Sequence, residues 1–269
     1  MIKTYKLNRE TWVDIDNGTP EEINSVMDKY GIHPFVAKEL FSSTPKPRIE
    51  FHDQYIYCIL HFPASKHTHS KDKNQEVDFI IGKDTLITAR YDTIDALHKL
   101  GKDLEVEGVL DKGNHIYNHS HIIFTRLLRG LYTGVFEELE YIEDTIENIT
   151  SNIFKKKERE MVVSISEITR TLLDFKRVTD LHQEILEALK ERGQEIFGNE
   201  FANEMEVIIL DFLKINTTIK SNLEMLRELR ETDYSLLSAK QNEKLSQWTI
   251  IGSVLLILGI IATIATIFF

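Results

Sequence analysis

Ten histidines and an excess of carboxylates are the side chains in this 269-residue sequence with the means to handle a cation. His67 and His69 fall in a polar stretch, SKHTHSKDKNQ, and His115, His119 and His121 gather before a helical pattern. Neither group has cysteine support or a zinc-ligand spacing, so both read as surface histidines. There is no glycine-rich phosphate loop and no nucleophile–base pair to argue from, so the sequence gives no reason to expect an enzyme. The other chemistry-bearing pattern is a stripe near the C-terminus. Asn242, Leu245, Thr249, Gly252, Leu256, Gly259, Thr263 and Thr266 recur at alternating intervals of three and four, which puts them on one helix face. Small residues on such a face let helices approach closely. The same residues suit a pore, with threonine hydroxyls turned to water or hydrated ions. Packing is the commoner role, and the spacing leaves both open.

The stripe needs a helix to carry it. From Trp248 to Phe269 the sequence WTIIGSVLLILGIIATIATIFF is 22 residues without a charge. At ~1.5 Å per residue it reaches about 33 Å, enough to cross a bilayer core. No proline or glycine interrupts the chain from Glu200 to Gly252, so a single helix of about 105 Å is expected from Glu200 to Phe269. Its soluble part repeats Phe212, Ile215, Ile219, Leu223, Leu226 and Leu229, a seam of the kind that associates helices, and an oligomer is expected from it.

Upstream, Phe124, Leu128, Leu131, Val135, Leu139, Ile142, Ile146, Ile149 and Ile153 mark one long amphipathic helix. Glu137, Glu138, Glu140, Glu143, Asp144 and Glu147 lie on its opposite face. Lys155, Lys156 and Lys157 form a basic turn. A second helix then returns through Ile165, Ile168, Leu172 and Phe175 toward Leu189, and Gly193 and Gly198 bracket the following turn. The first 113 or so residues read as mixed α/β. MIKTYKL, YIYCILHF, VDFII and TLITARY are strand-like, and Gly82-Lys83-Asp84 makes a hairpin of the last two. Thr19-Pro20-Glu21-Glu22 starts a helix that should stop before Gly31. The reading is thus an α/β head over 1–115, a helical hairpin over 116–199, a stalk helix over 200–247 and a continuous membrane helix over 248–269.

A formal charge of −11 argues against nucleic acid as partner and suits solubility or cation attraction beside a membrane. MIKTYKLNRE has no apolar run after its basic residues, so a secretory signal is not expected. Lys240 and Lys244 flank the near side of the span, which orients the head to the cytoplasm, under the cell's inner (plasma) membrane. The single cysteine, Cys58, sits in an apolar run and reads as a core residue in a reducing compartment.

Taken in order, Trp12-Val13-Asp14-Ile15, Thr19 to Glu22, Gly31-Ile32-His33-Pro34 and Arg48-Ile49-Glu50-Phe51-His52-Asp53 resemble the N-terminal domain of CorA-type magnesium transporters. The likeness runs on through Ile87 to Arg90 and the stretch SLLSAKQNEK at Ser235 to Lys244, covering nearly the whole chain. It departs at 266–268, where Thr-Ile-Phe stands in place of the family's Gly-Met-Asn, and the family's second membrane helix has no counterpart. The resemblance implies a homopentamer in the lipid bilayer with a pore on its axis. Mg²⁺ is the implied ion, with Co²⁺, Ni²⁺ or Zn²⁺ as other transported or regulatory ions. Asn242 matches the family's stalk asparagine, and Leu245, Leu256 and Trp248 match hydrophobic constrictions. Asp92 or Asp95 matches a head-side acid, and Asp211 a stalk acid, that hold a regulatory cation between neighbouring subunits. The departure leaves two other readings. One is a non-conducting, membrane-anchored cation-binding oligomer; the other is a truncated or engineered chain of the CorA type.

Overall fold

The computed structural model describes residues 1–7, 10–63, 74–110, 119–152 and 158–268. His67, His69, His115, Ile153 and the Lys155–Lys157 turn lie outside them, as do the side chains of Thr263 and Thr266. The chain divides into two units, one of Met1–Asp144 with Arg170–Asn222, the other of Thr145–Thr169 with Leu223–Phe269.

The first unit is built on a six-stranded sheet. β1 (Ile2–Leu7), β2 (Glu10–Asp16), β3 (Arg48–Phe51), β4 (Tyr55–Pro63), β5 (Asn74–Gly82) and β6 (Thr85–Arg90) lie in the order β1-β2-β6-β5-β4-β3. Only β2 and β6 run parallel; the other neighbours are antiparallel, including the expected β5–β6 hairpin. The central strands β4 and β5 are covered on both faces, which is why their sequences show apolar runs more than alternation. On one face α1 (Pro20–Tyr30) and α2 (Pro34–Glu39) close a core of Val13, Ile15, Ile23, Met27, Ile59 and Ile87, among others. On the other, Phe79 meets Phe124 edge-on at 5.2 Å between ring centroids.

Helix α1 begins as its sequence says. Thr19 Oγ1 accepts from the Glu22 amide (3.3 Å) and Glu22 Oε2 accepts from the Thr19 amide (3.0 Å), a reciprocal cap that satisfies two orphan donors. Gly31 ends it in the left-handed region at φ 68°, where a side chain is disfavoured. Four elements escaped the strand and helix signals. WVDI forms most of β2, β3 is four residues long, α2 six, and α3 spans Asp95–Leu110. The parallel partner of β2 lies some seventy residues downstream, a pairing that no local pattern announces.

The helical part follows as α4 (Ser120–Asn152), α5 (Glu158–Thr179), α6 (His182–Phe197) and α7 (Asn199–Phe268). Two expectations need correction. The return helix is not continuous toward Leu189: it ends at Thr179 and a new helix starts at His182 after a turn at Asp180–Leu181. His182, opening α6, is fully buried and takes up the Tyr132 hydroxyl at 2.9 Å. Burial holds the imidazole uncharged, its pKa lowered to about 3. Gly193, expected in a turn, is inside α6. A Cβ there would stand 2.1 Å from Phe201, so the glycine lets two helices touch. The turn is made by Gly198 alone, at φ 89°.

Along α7, Phe212, Ile215 and Ile219 are buried in the first unit. In the second, Leu226 and Leu229 are buried, as are Ile146, Ile149, Met161, Ile165 and Ile168. The coiled-coil-like seam is therefore consumed within one chain, and it gives no ground for an oligomer. On the acidic face of α4, Glu138 is also an exception, being buried.

Candidate functional site

In the head, the site-bearing segment is the turn from β6 into α3. The register sets Asp14 opposite Thr88 and Asp16 opposite Arg90. Trp12 Nε1 donates to Thr88 Oγ1 (3.0 Å), and Thr88 Oγ1 donates to Asp14 Oδ1 (2.9 Å). The guanidinium of Arg90 bridges Asp14 and Asp16, each at 3.1 Å from Nη2, and Nη1 donates to the Asp92 carbonyl at 2.9 Å. Asn17 Nδ2 donates to the Tyr91 carbonyl at 2.9 Å from the other side. A buried ion pair thus clamps the backbone that presents Asp92 and Asp95. Breaking one half of such a pair costs far more than the pair contributes.

The three head and stalk acids are not gathered within one chain. Asp92 is half-buried, its Oδ1 accepting from the Thr93 amide at 2.7 Å. Asp95 is exposed in the first turn of α3. Asp211 pairs with Lys214 at 3.1 Å on the surface of α7. Among the described residues no group of three or more His, Cys, Asp or Glu is arranged to hold a metal. Asp92 borders a cavity of about 370 Å³ with Thr44, His61, Asn74, Glu76 and Tyr91. Asp95 borders a different one of about 350 Å³.

The first of these cavities leads to a pair of acids that the sequence did not single out. Glu76 accepts from the Thr44 amide through both oxygens (2.7 and 3.0 Å) and lies 3.0 Å from His61 Nε2. Asp78, two residues along β5 and so on the same face, accepts from the Tyr57 hydroxyl at 2.8 Å. Burial, and then the charge of Glu76, push the Asp78 carboxyl well above its ordinary value. Burial also raises the Tyr57 and Tyr91 hydroxyls. A polar residue alternating within the apolar VDFII run was the available signal for this pair.

His119 is exposed, as expected of a surface histidine, whereas His121 beside it is buried. Their rings stack at 5.2 Å, and His121 is buried against Phe197 and Phe201. Burial and the neighbouring His119 lower the His121 pKa to about 4.

In the second unit, the stripe lies on α7 as expected. Asn242, Leu245, Thr249, Gly252, Leu256 and Gly259 are exposed, and Thr263 and Thr266 continue the helix. Every described side chain from Lys240 to Ile261 is exposed, including Leu245, Trp248, Leu255, Leu256 and Leu258. The chain has one candidate membrane span among the described residues, in Asn199–Ile261, and none of its apolar window is buried. So much uncovered apolar surface belongs against lipid or other helices. Thr249 Oγ1 donates to the Leu245 carbonyl (2.8 Å) and Ser253 Oγ to Thr249 O (2.9 Å). Each hydroxyl proton is used inside the helix, so the oxygen shows its acceptor lone pairs outward, toward whatever carries a positive charge or a donor proton.

An α/β head, a helical hairpin and a long last helix with an uncovered apolar span define a class of membrane-attached chain with an acidic soluble part. Residues 8–264 match the family model described as CorA-like Mg²⁺ transporter protein. The chain belongs to that family. It is 22% identical to the cobalt/magnesium transport protein CorA of Thermotoga maritima over 94% of this chain and 72% of that one. It is 23% identical to the putative metal ion transporter YfjQ of Bacillus subtilis, over 93% and 76%. The fold is that of the complete CorA magnesium transporter from Methanocaldococcus jannaschii, with a TM-score of 0.78 at 20% identity, covering 90% of this chain and 75% of that one. The full-length CmaX protein has the same fold (TM-score 0.77, 16% identity, 90% and 72% covered).

Proposed function

We propose that the chain is the subunit of a divalent-cation channel: a homopentamer in the inner (plasma) membrane, its head in the cytoplasm, carrying Mg²⁺ along the axis. Co²⁺, Ni²⁺ and Zn²⁺ are the competing ions. The observation that carries this is the wholly uncovered apolar segment from Leu245 to Ile261 on a chain that matches a cation-transporter family nearly from end to end. One apolar helix cannot enclose a path for an ion, so several copies must surround it. The stripe faces that path in this reading. Asn242 meets ion-bound water with its amide oxygen at the cytoplasmic mouth, Leu245 and Leu256 close it by dewetting, and Thr249, Thr263 and Thr266 offer acceptor oxygens. Gly252 and Gly259 let the helices approach. Magnesium gives up its water reluctantly, so outer-shell contacts of this kind suit it.

The division proposed is a head (1–115), a hairpin (116–199), a stalk (200–247) and a span (248–269). Asp92, Asp95 and Asp211 then act between subunits, where a cation bridging them holds the ring shut. Their separation within one chain supports a shared rather than an internal site. A second reading, a non-conducting cation-binding oligomer on a membrane anchor, is favoured by Thr-Ile-Phe at 266–268 where the family carries Gly-Met-Asn.

The test is Mg²⁺ entry into liposomes reconstituted with the full chain, read by an entrapped indicator dye. Flux that falls in Asn242→Leu with assembly intact is the expected result. No flux from a well-assembled oligomer overturns the channel and leaves the anchored sensor.

A further inference from the structure

The cavity beside Asp95 lies wholly in the first unit and has a character that a metal channel does not require. Its walls are apolar and aromatic: Phe62 from β4, Leu131 and Val135 from α4, and Phe175 from α5. Gly130 and Gly134, one turn apart on α4, leave that side bare; a Cβ on Gly134 would meet nothing within 4 Å. Asp95, Glu137 and Glu138 bring three carboxylates to it. Glu138 is the unusual one. It is only 6% exposed, lines the cavity, and has no hydrogen bond or ion pair among the described residues. Its stem is covered and its carboxylate end opens onto the cavity, where a positive charge meets it directly.

A bare divalent ion does not fit the description. It needs several oxygen ligands at short range, whereas most of this wall is hydrocarbon, and the described residues hold no three-ligand group. A protonated amine fits both halves. Its ammonium forms a charge-assisted hydrogen bond to a carboxylate and is attracted to aromatic faces, while its carbon body fills apolar space. About 350 Å³ is the size of a small-molecule site. We propose that this cavity binds a small organic cation, an ammonium on a compact apolar body, with Glu138 as its counter-ion and Phe62 and Phe175 as walls. The inference stands apart from ion conduction and holds whether or not the chain forms a pore.

Cyclohexylammonium is the probe, followed by saturation-transfer NMR on the full chain in detergent with EDTA present, and cyclohexanol is its neutral counterpart. The expected result is transfer to cyclohexylammonium but not to cyclohexanol. Its affinity should fall at least about tenfold in Glu138→Gln. Gly134→Leu, which puts a side chain into the cavity without touching a carboxylate, should abolish transfer. Equal transfer in all three proteins would mean partition into the micelle and would overturn the proposal. So would equal transfer from cyclohexanol, or none from the wild-type chain at millimolar probe.

Discussion

Replacing Arg90 by methionine keeps the apolar stem and removes the guanidinium that neutralises Asp14 in the interior. Both side chains are nearly inaccessible, at 7% and 6% exposure, so water cannot step in for the lost charge. Asp14 keeps the Thr88 hydroxyl but loses its ion pair, and the Asp92 carbonyl loses its donor. Leaving one half of a buried pair costs about 3–5 kcal/mol. With about 2–4 °C of melting temperature per kcal/mol in a chain of this size, the loss should be roughly 10 °C. Far-UV circular dichroism of the full chain in detergent reads it. In Asp14→Asn/Arg90→Met no buried charge is left unpaired, since Asp16, which also loses Arg90, is 31% exposed and reached by water, and the introduced amide oxygen still accepts from the Thr88 hydroxyl. Most of the loss should then be recovered, a coupling of about 2 kcal/mol or more. If the proposed regulatory site exists, the single variant should also respond less to Mg²⁺, because the turn that presents Asp92 and Asp95 is released. A single-variant loss below about 1 kcal/mol, or a double variant no better than the sum, would refute the clamp.

Two further expectations concern the head. The Asp78 carboxyl is raised in the folded state, so it draws stability down as pH rises from the unfolded chain's carboxylate range, about pH 4, toward the raised value. Asp78→Asn should flatten that limb, gaining stability at pH 7 relative to pH 5 in urea titrations; an unchanged pH profile would show that the carboxyl is ionised. Gly193→Ala should lower the melting temperature even though alanine favours helices, because its methyl must displace Phe201. Combining it with Phe201→Leu should restore part of the loss.

Local chemistry made α1, the β5–β6 hairpin, α4 and α7 legible. The Thr19 cap, the Gly31 stop and the three-four apolar rhythm each act over a few residues. What stayed hidden is set at long range. The pairing of β2 with β6 joins residues about seventy-five apart, and it sets WVDI beside ITAR, which together carry the Trp12–Thr88–Asp14–Arg90 network. Glu138 sat on a face that periodicity calls solvated, and only the neighbouring elements decide that it is covered. The Phe212 to Leu229 seam was visible, but nothing in its spacing says whether its partner is the same chain or another. For the stripe from Asn242 to Thr266, sequence and single-chain structure carry the same information, since its described side chains have no neighbours within the chain that bury them.

The chain has two tryptophans, and they stand at opposite extremes of accessibility: Trp12 is 0% and Trp248 71% exposed. Trp12 is sealed only when β6 arrives beside β2, so its emission times the closure of the sheet, a pairing of high sequence separation that is slow to form. In the proposed span Trp248 stands at the entry to the apolar segment, the position where indole favours a bilayer interface. Intrinsic fluorescence therefore carries two clocks, one for folding of the head and one for insertion, and each is read alone when the other residue is changed to phenylalanine.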